Sequence, residues 1–133
     1  MLTLRNLEEK DYETLCEYWR FWRFPAPTRG MLPKDLSYSF AVMSEEELVC
    51  VGFLYVTPSE IAWLEFIISN PNIKDKDIRS NALYLLIDTI CQVAKNMGFK
   101  SVFTSVKNEN LIHRYLHCGF SIGTSSTEMI KIL

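Results

Sequence analysis

Residues 61–120 read IAWLEFIISNPNIKDKDIRSNALYLLIDTICQVAKNMGFKSVFTSVKNENLIHRYLHCGF, and the hydrophobic period changes repeatedly along them. Ile61 to Ser69 is an apolar, β-branched run that predicts a strand. From Ile78 the apolar positions Ala82, Leu83, Leu86, Ile87, Ile90, Val93, Ala94 and Met97 recur with helical spacing. They predict a long core helix, closed by Gly98 at the position favoured for a left-handed cap. Ser101 to Val106 predicts the next strand, and Asn108 to Cys118 a short helix capped by Gly119. A strand reached through a helical crossover lies parallel to the strand before it in the same sheet.

Upstream, Thr3 to Leu7 reads as a first strand, and Glu8 to Trp22 as a helix with Leu15, Trp19 and Trp22 on its apolar stripe. Phe24-Pro25-Ala26-Pro27 stops it, because proline lacks the backbone donor and restrains the residue before it. Thr28 to Asp35 reads as a loop. Ser37 to Ser44 and Leu48 to Thr57 follow as strands joined by the acidic turn Glu45-Glu46-Glu47, and Pro58-Ser59 turns the chain into Ile61. Strands two to four therefore form an antiparallel meander. Downstream, Phe120 to Gly123 and Glu128 to Leu133 are expected to form a terminal hairpin. The order predicts an α+β domain, a mixed and mostly antiparallel sheet of six to seven strands flanked by about four helices.

With 133 residues, 48% of them hydrophobic, the chain is expected to be a single domain, residues 1–133, around one core. A net charge of -2 and a pI near 5.7 provide no global basic field, which argues against nucleic acid and anionic membranes as partners. Cys16, Cys50, Cys91 and Cys118 include no Cys-x-x-Cys pair, and Met1 to Lys10 lacks the apolar run of a signal peptide. Free thiols in a reducing cytoplasm are the expectation. No apolar run approaches membrane length.

The order and the residues together resemble the GNAT superfamily of N-acetyltransferases over nearly the whole chain. LRNLEEKDYETLCEYW is similar to that family's first strand and helix, and ISNPNIKDKDIRSNALYLLIDTI to its cofactor loop and core helix. SVKNENLIHRYLHCGF resembles its ending, with Asn108 seven residues before Tyr115 and Gly119-Phe120 following. The run Tyr18 to Pro25 is similar to GNAT-like proteins of bacteriophages. The resemblance implies acetyl-CoA as co-substrate, bound in a splay between the parallel fourth and fifth strands. It implies that backbone groups of Ile67, Ile68 and Ser69 pair the pantetheine arm. The diphosphate is then expected at the helix start, on the amides of Ile78, Arg79, Ser80 and Asn81, with Lys74 and Lys76 supplying positive charge.

The family loop usually reads Arg/Gln-x-x-Gly-x-Gly/Ala, whereas Lys74-Asp75-Lys76-Asp77-Ile78-Arg79 contains no glycine. Asp77 and Arg79 stand where small residues let the backbone curl around phosphate, and Asp75 and Asp77 bring carboxylates to an anion site. Arg79 offers direct phosphate pairing in exchange. Alternatively, the loop is a solvated mixed-sign segment capping the helix at Asp77.

By the same resemblance Tyr115 stands near the thioester sulfur as general acid, or its ring packs on the sheet; Asn108 bonds the cofactor arm, or caps its helix. Glu65 is the candidate base. Strict alternation would set Trp63, Glu65, Ile67 and Ser69 on one face and Leu64, Phe66 and Ile68 on the other, so apolar neighbours raise the proton affinity of Glu65. Its alternative is an ion pair on the sheet surface.

Trp22 and Phe24, interleaved with Arg20 and Arg23, line either an acceptor groove or a partner surface. Glu109, His113 and His117 have the helical spacing of metal ligands but no fourth ligand, so no metal is expected. Two functions follow: acetyl transfer to a small-molecule or peptide amine, or a non-catalytic binding module of the same architecture using the surface around Trp22. A sheet edge or the terminal hairpin could pair two copies into a homodimer.

Overall fold

The computed structural model describes all residues, 1–133. In chain order the elements are β1 (Leu2–Asn6), α1 (Tyr12–Phe21), β2 (Ser39–Ser44), β3 (Glu47–Tyr55), β4 (Ile61–Ser69), α2 (Lys76–Asn96), β5 (Ser101–Phe103) and α3 (Glu109–His117). The five strands form one sheet in the order β1-β2-β3-β4-β5. All neighbours are antiparallel except β4 and β5, which are parallel.

Helices cover both faces. On one, α2 packs Ala82, Leu86, Ile87, Ile90 and Ala94 against Val42, Val49, Leu54, Ala62 and Leu64, joined by Tyr115 of α3. On the other, Leu15, Tyr18 and Trp19 of α1 meet Ala41, Leu48, Val51, Phe53 and Ile68. The apolar run of β3 is thus buried on both sides, as continuous hydrophobicity requires. Each fully buried large side chain in these layers stabilises the fold by roughly 1.5–3 kcal/mol. Gly52 lets α2 sit close: a Cβ there would lie 3.1 Å from Ile90 Cδ1 and 3.2 Å from Leu86 Cδ2.

α1 is introduced by an ionic knot. Arg5 grips Asp11 with both Nη atoms at 2.8 and 3.0 Å, and Asp11 also accepts the Glu8 amide at 2.8 Å. The helix ends at Phe21, so Trp22 lies beyond its apolar stripe and Tyr18 takes the inward position instead. α2 closes as its sequence implies, with Gly98 at φ 98° and the Phe99 amide returning to the Ala94 carbonyl at 3.1 Å.

The expected six to seven strands and about four helices are corrected to five strands and three α-helices. Strand pairing in the fifth strand stops at Phe103, and no hairpin forms over Phe120–Gly123 and Glu128–Leu133. Ile122, Met129, Ile130, Ile132 and Leu133 stay exposed. Their apolar character suits a strand, but β-structure needs a partner ladder and these residues pair with none. The face assignment in β4 also changes. Phe66 has φ 58°, and the register with β3 slips between Phe53↔Glu65 and Val51↔Ile68. This bulge sends Leu64 into the α2 layer while Phe66 and Ile68 join the α1 layer. No helix is long and apolar enough to cross a membrane.

Candidate active site

β4 and β5 are paired only at Ile61↔Ser101, Ala62↔Val102 and Trp63↔Phe103, after which the two chains part. The rest of β4 therefore has an open backbone edge. The Asn70 amide bonds the Val49 carbonyl at 2.8 Å, so alternation turns the N–H and C=O of Ser69 away from β3 and into the opening. Ser69 is already engaged, because its carbonyl accepts Trp22 Nε1 at 2.8 Å.

Three side chains meet at the mouth of this wedge. Glu65 Oε1 accepts the Ser105 amide across the gap at 2.8 Å, and the Thr104 hydroxyl donates to the Tyr115 hydroxyl at 3.3 Å. Burial pushes the Glu65 carboxyl above its usual range, and the charge of Glu128 adds to this. Hydrogen bonds from Ser105 and Thr104 offset part of the shift. Tyr115 is 4% exposed, with its ring edge-to-face against Phe120 at 4.8 Å. Burial raises its phenol pKa, Glu65 adds to the rise, and Thr104 opposes it. The phenol therefore holds its proton firmly.

The start of α2 is built differently. Asp75 is the N-cap, and its Oδ1 accepts the amides of Asp77 at 2.9 Å and Ile78 at 3.2 Å. The Arg79 amide bonds the Asp75 carbonyl at 3.1 Å. The cap is thus Asp75 rather than Asp77, and Ile78, Arg79, Ser80 and Asn81 lie inside a helix that begins at Lys76. Only the Lys76 amide lacks a partner in the first turn. Ile78 packs on the α2 core, the Ser80 hydroxyl accepts from Arg114 at 2.8 Å, and Lys74 Nζ donates to the Pro71 carbonyl at 3.0 Å. The Arg79 guanidinium sits over the Trp22 ring at 5.8 Å.

Trp22 and Phe24 are 41% and 49% exposed, beside Phe21, whose ring meets Trp22 edge-on at 4.9 Å. Trp22 thereby ties the end of α1 to the end of β4 and the beginning of α2. Asn108 is the N-cap of α3, its side-chain oxygen accepting the Leu111 amide at 3.0 Å. Glu65 and Tyr115 are brought together at the wedge; Trp22, Ser69 and Arg79 meet at the α2 end. Phe24 and Asn108 stand outside both groups.

Sequence reasoning missed Thr104, Ser105 and Asn70. Nothing in the local pattern marks Thr104 or Ser105, which matter only because β5 breaks off before them. Asn70 had a signal in the Asn70-Pro71-Asn72 turn. It is buried, donates to the Leu48 carbonyl at 2.8 Å and accepts the Asn72 amide at 2.9 Å, which sets the direction from β4 into α2. A surface depression of about 490 Å³ lined by Asn6, Leu36 and Phe40 lies toward the β1 edge, across the sheet from the wedge.

No protein-family model and no curated protein sequence matches the chain. Solved structures do. N-acetylglutamate synthase from Neisseria gonorrhoeae, complexed with coenzyme A and N-acetyl-glutamate, superposes with a TM-score of 0.73 at 14% identity, over 93% of this chain and 29% of that one. An aminoglycoside acetyltransferase from an uncultured soil metagenomic sample, in complex with trehalose, gives 0.66 at 18% identity, over 99% and 96%. A transcriptional regulator from Bacillus halodurans C-125 gives 0.69 at 15% identity, over 98% and 100%. This chain thus spans less than a third of the synthase and nearly all of the other two. A mixed sheet parted between its parallel fourth and fifth strands, matched at this level, is the GNAT fold.

Proposed function

We propose that this chain is an N-acetyltransferase that moves the acetyl group of acetyl-CoA to an amine by direct attack in a ternary complex. The observation that carries the reading is the gathering of Glu65, Thr104 and Tyr115 at the mouth of the β4–β5 wedge, beside the stretch of β4 that β5 leaves unpaired beyond Trp63. Acetyl-CoA supplies the activated thioester. The wedge suits its pantetheine arm, since the open edge of β4 beyond Trp63 can pair an extended amide chain as it would an added strand. The α2 start does not suit a diphosphate cradled on amides, because Asp75 occupies two of them. Phosphate oxygens would instead meet Lys76, its amide and the Arg79 side chain.

Glu65 is suited to take the proton of the attacking amine, directly or through one water. A carboxyl raised by burial is a better base at neutral pH than an exposed one. Tyr115 is suited to hydrogen-bond the sulfur as negative charge develops there. Its raised pKa makes full proton donation to a thiolate uphill, so its part is stabilising charge rather than delivering the proton. The acceptor is a small-molecule or peptide amine entering beside Trp63 and Phe103, whose rings are 5.3 Å apart, with Trp22 and Phe24 toward the cofactor end. A homodimer, the exposed terminal segment of one copy pairing the short β5 edge of another, is compatible with this site.

A second reading has its own support. Asp75 spends the helix-start donors internally, and Phe21, Trp22 and Phe24 form an exposed aromatic surface. Both features suit a non-catalytic module that binds a partner there. Titration calorimetry with acetyl-CoA, followed by a thiol-release assay over a panel of amines, separates the two. Micromolar binding with amine-dependent thiol release supports the transferase; no heat at millimolar acetyl-CoA supports the binding module.

A further inference from the structure

Between α2 and α3 the chain buries part of a guanidinium without a counter-ion. Arg114 belongs to the inward stripe of α3 that also carries Leu111, Tyr115 and Cys118, all packed on the α2 layer. Its Nη2 donates to the Ser80 hydroxyl at 2.8 Å, its Nη1 makes a long bond to the Asn110 carbonyl at 3.3 Å, and its Nε is buried with no partner. The ion pairs of the molecule, Arg5–Asp11, Lys10–Glu8, Arg29–Glu9 and the N-terminus with Glu45, are all elsewhere. Asp77 and Asp88 also belong to α2, but no ion pair within 4.0 Å joins either to Arg114, and Asp88 is engaged with Cys118.

A leucine at this position would pack without loss, whereas an unpaired charged donor is costly to desolvate. Its neighbours do not neutralise it. The guanidinium carbon lies 5.8 Å over the Tyr84 ring, and the His117 ring stacks on that same tyrosine at 4.2 Å. Lys76 is one helical turn before Ser80 on α2. The residue as a whole is half-buried, which leaves part of the side chain open to solvent. An oriented guanidinium fork with a hydroxyl beside it and no carboxylate is a receptor for a tetrahedral oxyanion.

We propose that Arg114, with Ser80 and Lys76, forms a phosphate-binding site in the α2–α3 seam that holds a phosphate of the acyl donor in place of the amides Asp75 has capped. The proposal rests on the acetyl-CoA reading for the identity of its ligand, though not for its anion chemistry. Arginine here does by side chain what a glycine turn does by backbone. Ser80 lies about one turn into α2 from the usual helix-end position, so the nucleotide part of the donor would lean toward α3.

The test is titration of coenzyme A, 3′-dephospho-coenzyme A and inorganic pyrophosphate into the intact chain and into Arg114→Gln and Arg114→Lys, with thermal unfolding of each variant. The expected result is about 10–100-fold weaker binding of coenzyme A by Arg114→Gln, a smaller loss in Arg114→Lys, and no fall in Tm for either. A deficit that disappears with 3′-dephospho-coenzyme A assigns the site to the 3′-phosphate; one that persists assigns it to the diphosphate. Coenzyme A bound equally by the intact chain and Arg114→Gln overturns the site while leaving the transferase standing. Pyrophosphate bound through Arg114 without coenzyme A binding keeps the site and removes the donor reading. No binding of any of the three overturns both.

Discussion

The two ends of the open β4 edge have been treated in opposite ways. At the wedge, polar groups converge on an opening: Glu65 reaches across it, Tyr115 and Thr104 line it, and β4 beyond Trp63 has no β5 partner. At the α2 end, the corresponding groups are spent inside the chain. Asp75 caps two amides, Ser69 gives its carbonyl to Trp22, and Arg79 lies on the indole. The contrast teaches that holding the reactive end of a donor and anchoring its distant phosphates are separable tasks. On the transferase reading proposed above, the wedge would hold the thioester while residues other than the helix-start amides anchor the phosphates.

The largest expected effect comes from breaking the wedge. Glu65→Gln keeps the acceptor for the Ser105 amide but removes the base, and kcat/KM for amine acetylation is expected to fall by about 10²–10⁴-fold. The wild-type rate should climb with pH through a midpoint above the ordinary carboxylate range, because the base form appears only above the raised pKa; this limb should vanish in the variant. Stability responds with the opposite sign. The folded-state pKa of Glu65 is raised, so its contribution is present at low pH and is lost as pH rises through that value. Glu65→Gln should therefore unfold at the same Tm as the parent or higher at neutral pH, measured by calorimetry.

Sharpening the other end calls for Asp75→Gly. Glycine is tolerated at an N-cap at a cost of only a few tenths of a kcal/mol, while the amides of Asp77 and Ile78 are freed and a carboxylate is removed from the anion site. Coenzyme A is expected to bind about tenfold more tightly, with kcat little changed. An unchanged Kd would mean that the phosphates never approach this helix end. Tyr115→Phe should lower kcat by about tenfold with KM held, since it removes one hydrogen bond to developing charge and leaves the ring packed on Phe120. The smallest effect is expected at Asn108→Ala, which removes the α3 cap and lowers stability by about 1 kcal/mol without altering the ratio of activity to folded protein.

The helical and strand periods made most of this fold legible in advance. β3, β4, α2 with its Gly98 cap, and the parallel return to β5 all follow from local pattern and from the handed crossover. The same reasoning overreached after Phe103, where Phe120–Gly123 and Glu128–Leu133 read as a hairpin but pair with nothing, because a strand is a property of a pair. It also missed the bulge at Phe66. Strict alternation had set Leu64, Phe66 and Ile68 on one face, and a single residue in left-handed conformation divides them between two cores. No glycine marks the position.

For the site, the chemical identities of Glu65, Tyr115 and the glycine-free loop were in the sequence, along with the conflict between them. Tertiary structure alone decided which groups meet. Ser105 meets Glu65 forty positions away, Thr104 meets Tyr115 from another element, and Arg114 is carried into a seam without a counter-ion. The physical reason is common to these cases. Secondary structure follows from periodic neighbours a few residues apart, whereas hydrogen-bond satisfaction, desolvation and charge pairing depend on which distant groups packing brings within about 3 Å.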